Sequence, residues 1–146
     1  MADKITLRHL GPDDLDVLLG VDEGLFDNPI RTDQAAAFLN DPLHEIVLAF
    51  AGAEIVGIAT GVSLLHPDKA PAFFVAEVGV RAAFQRQGIA QRLCRALFKV
   101  ARGRGCEGIW LATEGDNVAA RALYTSLDAR ETSDIVVYDW DGAMDT

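Results

Sequence analysis

The chain has 146 residues, half of them hydrophobic, and a formal net charge of −9 from 22 acidic and 13 basic residues. Such a length fits one domain whose core needs no disulfide or metal staple, and so acidic a molecule repels nucleic acid while favouring cationic partners such as polyamines, amino sugars and basic peptide segments. Cys94 and Cys106 have no CxxC spacing and no histidine cluster beside them, no apolar stretch reaches the roughly 18 residues of a membrane span, and no signal segment opens the chain, so a reduced cytoplasmic protein without a metal site is expected.

In chain order, Ile5 to Leu10 alternates apolar and polar residues like a half-buried strand, and Gly11-Pro12-Asp13-Asp14 starts a helix with acids in its first turn, predicted to run to about Leu25. Asp27-Asn28-Pro29 breaks the chain, and Thr32 to Leu39 reads as a capped second helix ended by Asp41-Pro42. Glu45 to Phe50 and Glu54 to Leu65 flank Ala51-Gly52-Ala53 as a hairpin. A loop at His66 to Lys69 leads to a strand ending near Val80. There follow a long helix from Gly88 to about Arg102, a strand from Gly108 to Thr113, a helix from Asn117 to Leu127 and a last strand through Ile135 to Tyr138. With no repeat or linker, residues 1–146 read as a single domain of mixed α/β class, order β-α-α-β-β-β-α-β-α-β, a central sheet flanked by helices.

Gln85-Arg86-Gln87-Gly88-Ile89-Ala90 joins the fourth of these strands, ending near Val80, to the long helix. A strand that turns through glycine into a helix leaves backbone N–H groups unpaired in front of the helix dipole, which is a seat for phosphate. Gly103-Arg104-Gly105-Cys106-Glu107-Gly108 spells GxGxxG, but it ends a helix and precedes a strand, the reverse of a dinucleotide fingerprint; helix capping and turn glycines account for it.

Val78-Gly-Val-Arg-Ala-Ala-Phe-Gln-Arg-Gln-Gly-Ile-Ala with its leucine-bearing helix, followed by a strand, Asn117, Ala120 and Leu123-Tyr124, resembles the GNAT superfamily of acetyl-coenzyme A dependent N-acetyltransferases. Gln85, Gly88 and Ala90 meet its Gln/Arg-x-x-Gly-x-Gly/Ala pattern. The resemblance implies that the amides of Gln85, Arg86, Gln87, Gly88, Ile89 and Ala90 hold the pyrophosphate of acetyl-coenzyme A, and that Val78 and Val80 offer backbone N–H groups to the thioester carbonyl. It further implies that Asn117 and Ala120 border the pantetheine arm, and that Tyr124 gives a proton to the departing thiolate. Ser126-Leu127-Asp128-Ala129 stands where relatives commonly have Leu-Gly-Phe, which puts a non-glycine residue at the left-handed end of that helix.

An ammonium must lose a proton before it attacks, and Glu77, the only charged residue from Ala70 to Val80, is the candidate acceptor; a structural ion pair with Arg81 or another cation is the competing account. No cysteine sits in a nucleophile setting, so transfer is direct. Over the whole chain, Leu10-Gly-Pro-Asp-Asp, Leu25-Phe-Asp-Asn-Pro and the closing Val137-Tyr-Asp-Trp-Asp are similar to the aminoglycoside 3-N-acetyltransferases. That resemblance implies a cationic amino sugar as acceptor, with Asp27, Glu77 and Asp139, and beside them Asp22, Glu23 and Asp141, lining the cleft. Ala76 precedes Glu77 where those relatives commonly carry an aromatic residue. A peptide or protein amino-terminal or lysine acetyltransferase and a non-catalytic coenzyme A or partner-binding module are the alternatives. No membrane or nucleic-acid partner is expected, and a homodimer is compatible with the letters.

Overall fold

The computed structural model describes residues 4–142. The chain divides into two compact units, Met1–Ala112 and Thr113–Thr146. In the first, β1 (Ile5–His9), α1 (Leu15–Leu19), α2 (Thr32–Asn40), β2 (His44–Ala51), β3 (Glu54–Leu64), β4 (Ala72–Val80), α3 (Ile89–Gly103) and β5 (Gly108–Trp110) follow in order, with single 3-10 turns at Pro12–Asp14 and Ala82–Phe84. The second carries α4 (Val118–Ser126).

The sheet runs β1-β2-β3-β4-β5, antiparallel throughout except for the parallel β4–β5 pair. β2 and β3 are buried on both faces, which is why they read as nearly unbroken apolar runs. On one face α3 lays down Ile89, Leu93, Leu97 and Ala101, one residue per turn, against Val47, Ala49, Val56 and Val75. Its other side carries the exposed Arg92, Arg95, Lys99 and Arg102. On the opposite face Leu18, Ala35 and Leu39 from α1 and α2 cover Ile46, Leu48 and Ile58. Each fully buried branched side chain contributes about 1.5–3 kcal/mol, so the two helical layers hold the sheet from both sides. At Gly61 a Cβ would lie 2.2 Å from the Phe73 ring, so only glycine lets that ring cross β3.

α3 ends as its glycines suggested. The Cys106 N–H donates to the Ala101 carbonyl and the Gly105 N–H to that of Arg102, with Gly105 left-handed at φ +85°, a Schellman closure. The GxGxxG letters are a helix end.

Three elements depart from expectation. The first helix stops at Leu19 rather than Leu25, because the Gly20 and Val21 amides close tight bonds onto Val17 and Leu18 and Val21 turns into the core. The carbonyls of Asp22 and Glu23, which a longer helix would have paired internally, instead accept from the Arg81 guanidinium at 3.0 and 2.8 Å. β5 ends at Trp110, well short of Thr113. The expected last strand through Ile135 to Tyr138 does not form: these residues have no regular structure and are 70–78% exposed. A strand exists only through hydrogen bonds to another, and the described residues of the second unit contain none to pair with.

Candidate active site

β4 ends at Val80 and the chain passes through the Ala82–Phe84 turn into Gln85–Gly88 and α3. Gln85 ties this turn back to β4 by donating from Nε2 to the Val80 carbonyl at 3.1 Å. Arg86 and Gly88 both lie in the left-handed region, at φ 64° and 78°. Left-handed residues in such a turn swing neighbouring amide N–H groups to one side, making an anion-sized concavity. Gly88 is the N-cap of α3, no side chain caps the helix, and no acid stands in its first turn. The N–H groups of Ile89 and Ala90 therefore face the turn without a carbonyl one turn behind them, while the Ile89 side chain is buried and anchors the helix start. Nothing lies within 4 Å of the place a Gly88 Cβ would occupy, so the glycine answers to the backbone conformation and the approach from solvent is open. These features fit a diphosphate.

A further signal for that fit is charge segregation, which the net charge conceals. Residues 78–106 contain seven basic residues, Arg81, Arg86, Arg92, Arg95, Lys99, Arg102 and Arg104, and no acid. In a chain of net charge −9 this is the one long stretch suited to a polyanion.

Beside the turn, β4 is paired with β3 along its length but with β5 only through Ala72, Phe73 and Phe74. The outer edge from Val75 to Val80, which includes Val78 and Val80, has no strand beside it among the described residues. The β3–β4 register slips at one point: Thr60 faces Glu77 while Gly61 faces Val75, leaving Ala76 as an extra residue. Such a bulge re-aims the side chain next to it. Glu77 is exposed, and its Oε1 accepts from the Thr60 hydroxyl at 3.1 Å, with Thr60 itself buried.

Glu77 opens into a cavity of about 280 Å³ walled by the 26–31 loop and α2, to which Asp27 also belongs. The alternative of an ion pair with Arg81 does not hold: that guanidinium donates to the carbonyls of Ile55, Asp22 and Glu23. No ion pair of Glu77 occurs among the described residues. Asp22 and Glu23 line a neighbouring cavity of about 210 Å³ that shares Phe26, Asn28, Pro29 and Ile30 with the first. Asp139 and Asp141 are exposed in the second unit.

In that second unit Asn117 caps α4, its Oδ1 accepting from the Ala120 N–H at 3.0 Å. The carboxamide oxygen is thus engaged in the fold, and the amide NH₂ is the end a ligand would meet. Tyr124, seven residues after Asn117 and so about two turns along the same face, is half-buried. The helix closes with Ala129 N–H on the Tyr124 carbonyl and Asp128 N–H on that of Thr125, and Asp128 takes φ 64°. Aspartate therefore does here what glycine does at the end of α3.

Cys94 is fully buried, and burial pushes its thiol up to about 11, which removes it as a nucleophile. Glu45, which the sequence did not single out, is a carboxylate buried under the α3 end of the sheet. It accepts from Arg104 Nε at 2.8 Å and meets His9 Nε2 at 3.0 Å. Burial pulls its pKa upward, but the bonds from His9 and Arg104 outweigh this and hold it below the ordinary 4.5. No group of three or more His, Cys, Asp or Glu suited to a metal ion, and no helix long and apolar enough to cross a membrane, occurs among the described residues.

Residues 17–128 match the acetyltransferase (GNAT) family. An N-alpha-acetyltransferase, RimI, of Mycobacterium tuberculosis (strain ATCC 25618 / H37Rv) is 38% identical over 89 residues, 61% of this chain and 54% of that protein. The chain thus matches about half the length of this curated relative. An aminoglycoside acetyltransferase from an uncultured soil metagenomic sample has a similar fold, TM-score 0.81 at 19% identity, over 93% of this chain and 95% of that one. The aminoglycoside acetyltransferase AAC(6')-Iy, in complex with a coenzyme A bisubstrate analogue, gives TM-score 0.79 at 18% identity, over 94% and 98%.

Proposed function

The chain belongs to the acetyltransferase (GNAT) family, and on that premise we propose that it moves an acetyl group from acetyl-coenzyme A directly to a primary amine that is protonated in solution. The observation that carries this reading is Glu77, a carboxylate fixed by Thr60 on a bulged strand, open to a cavity and adjacent to the unpaired edge of β4. The bound thioester supplies an activated acetyl carbon. Glu77 accepts the ammonium proton, directly or through one water. Val78 and Val80 present main-chain N–H groups on the open edge to the carbonyl oxygen, and the turn from Gln85 to Ala90 holds the diphosphate, helped by Arg86. Asn117 and Ala120 border the pantetheine arm, and Tyr124 returns a proton to the leaving sulfur, roles that rest on the family resemblance. The whole of residues 1–146 serves as one functional domain in this reading.

Two acceptor classes have support. A cationic aminoglycoside agrees with the net charge and with the carboxylates of Asp27 and Glu77 in one cavity. A 3-N regiochemistry draws nothing from the relatives, one of which is a 6' enzyme by name. A peptide amino terminus agrees with the 38% identity to an N-alpha-acetyltransferase. The test is release of coenzyme A thiol with an aminoglycoside, a diamine and a short peptide in parallel. Amine-dependent release with at least one is expected; acetyl-coenzyme A binding without release for any would leave a binding module instead.

A further inference from the structure

The cavity at Glu77 is small and mostly carbon. At about 280 Å³, and open to solvent, it has room within its walls for one large side chain. Leu18, Phe26, Pro29, Ile30 and Phe38 form its walls, and Glu77 and Asp27 are the only carboxylates among its lining residues. The Arg31 guanidinium at the mouth is already held by Asp33, at 2.9 and 3.3 Å. The remaining polar lining is the Thr60 hydroxyl, committed to Glu77, and the exposed carboxamides of Asn28 and Gln34 at the rim.

A polycation entering such a space would meet Glu77 and Asp27 and press any further ammonium group against carbon, losing its hydration with no third carboxylate to replace it. An apolar group gains by the same move, and rim carboxamides that both donate and accept match a peptide backbone. The α-amino group of a peptide, with an unperturbed pKa of about 7.7–8.0, is also neutral in larger part at pH 7 than an alkyl amine near 10.4, which lightens the task of the proton acceptor.

We infer that the acceptor selected here is a peptide amino terminus whose first side chain is large and apolar, with Phe26 and Ile30 setting that preference. The inference rests on the reading of the Glu77 cavity as the acceptor site. Peptides of one sequence differing only in a first residue of Phe, Leu, Met, Ser or Gly, and the aminoglycoside sisomicin, would be compared by kcat/KM with acetyl-coenzyme A saturating. Phe, Leu and Met are expected to exceed Ser and Gly by about 10-fold or more, the range that an apolar pocket discriminates, with sisomicin lowest. The Ile30→Ser variant should shrink the Phe-to-Gly ratio by raising KM of the Phe peptide several-fold more than that of the Gly peptide, and Ile30→Leu should restore the ratio. A purely structural loss would lower both peptides together. Equal rates for all first residues, or sisomicin as the best acceptor, would overturn this inference and leave the acetyltransferase reading standing; no transfer to any of the six would overturn both.

Discussion

Residues 78–106 and residues 13–33 belong to the same unit and carry opposite charge patterns. The first holds seven cations and no carboxylate; the second holds seven carboxylates, Asp13, Asp14, Asp16, Asp22, Glu23, Asp27 and Asp33, against Arg31 alone. They also fold differently. The basic stretch is a left-handed turn and a regular α-helix with one face locked in the core. The acidic stretch is one short helix and a loop held by the Arg81 guanidinium. An anion is best met by aligned main-chain dipoles, which need a regular helix. A variable amine is best met by side chains on an irregular loop, which can change without disturbing the sheet. The net charge of the chain hides this division, since it sums two fields of opposite sign.

Variants that act on one region and spare the other would sharpen the contrast. The largest expected effect is at the acceptor side: Glu77→Gln should lower kcat about 100-fold, the contribution of a positioned proton acceptor, with KM for acetyl-coenzyme A unchanged. Steady-state kinetics with both substrates varied would measure this, and unaltered turnover would remove Glu77 from the chemistry. The mirror image is Gly88→Val, which forces a branched side chain into φ 78° and should raise KM for acetyl-coenzyme A about 10-fold at a stability cost of about 1–2 kcal/mol. If KM for the amine rose equally, the two regions would not be separable.

A smaller change is expected from Thr60→Val, which deletes the hydroxyl bonded to Glu77. Losing one hydrogen bond of about 1 kcal/mol predicts a roughly fivefold fall in kcat with both KM values held. Arg104→Met removes the one cation of the basic stretch that is already committed to the buried Glu45, so it should leave kinetics untouched while lowering stability by about 2 kcal/mol at neutral pH, because a buried carboxylate loses its cation. Glu45 has a depressed pKa in the fold, so its contribution is complete above its ordinary 4.5 and is withdrawn as pH falls through the folded value. The stability gap between the parent and Arg104→Met, read by chemical denaturation, should therefore narrow from about pH 7 to about pH 3; a gap that widened would place the pair's role elsewhere.

Much of the turn and helix from Gly88 to Gly105 was legible in the letters because it is local. The glycine at 88, the four-residue spacing of Ile89, Leu93, Leu97 and Ala101, and the Gly105 closure all lie within a few turns of one another. The β2–β3 hairpin around Gly52 was legible for the same reason. The acceptor side was not. The course of the chain after Leu19 depends on Arg81, about sixty positions later, which bonds the Asp22 and Glu23 carbonyls, and the role of Thr60 depends on the strand register that sets it opposite Glu77. The same limit explains Ile135 to Tyr138: β-branched and aromatic letters describe a residue that suits a strand, while the strand itself requires a neighbour.

The sequence by itself determined the order of elements from β1 to α4, the left-handed glycine turn before α3 and the family, because amphipathic period, glycine placement and helix capping are properties of neighbouring residues. Only the tertiary structure decided that Glu77 bonds Thr60 rather than Arg81, that Asp27 shares its cavity while Asp22 and Glu23 face another, and that carbon dominates the walls around it. Those outcomes come from residues far apart in the chain competing for the same hydrogen-bonding groups and the same space, and that competition is resolved only when the sheet is assembled.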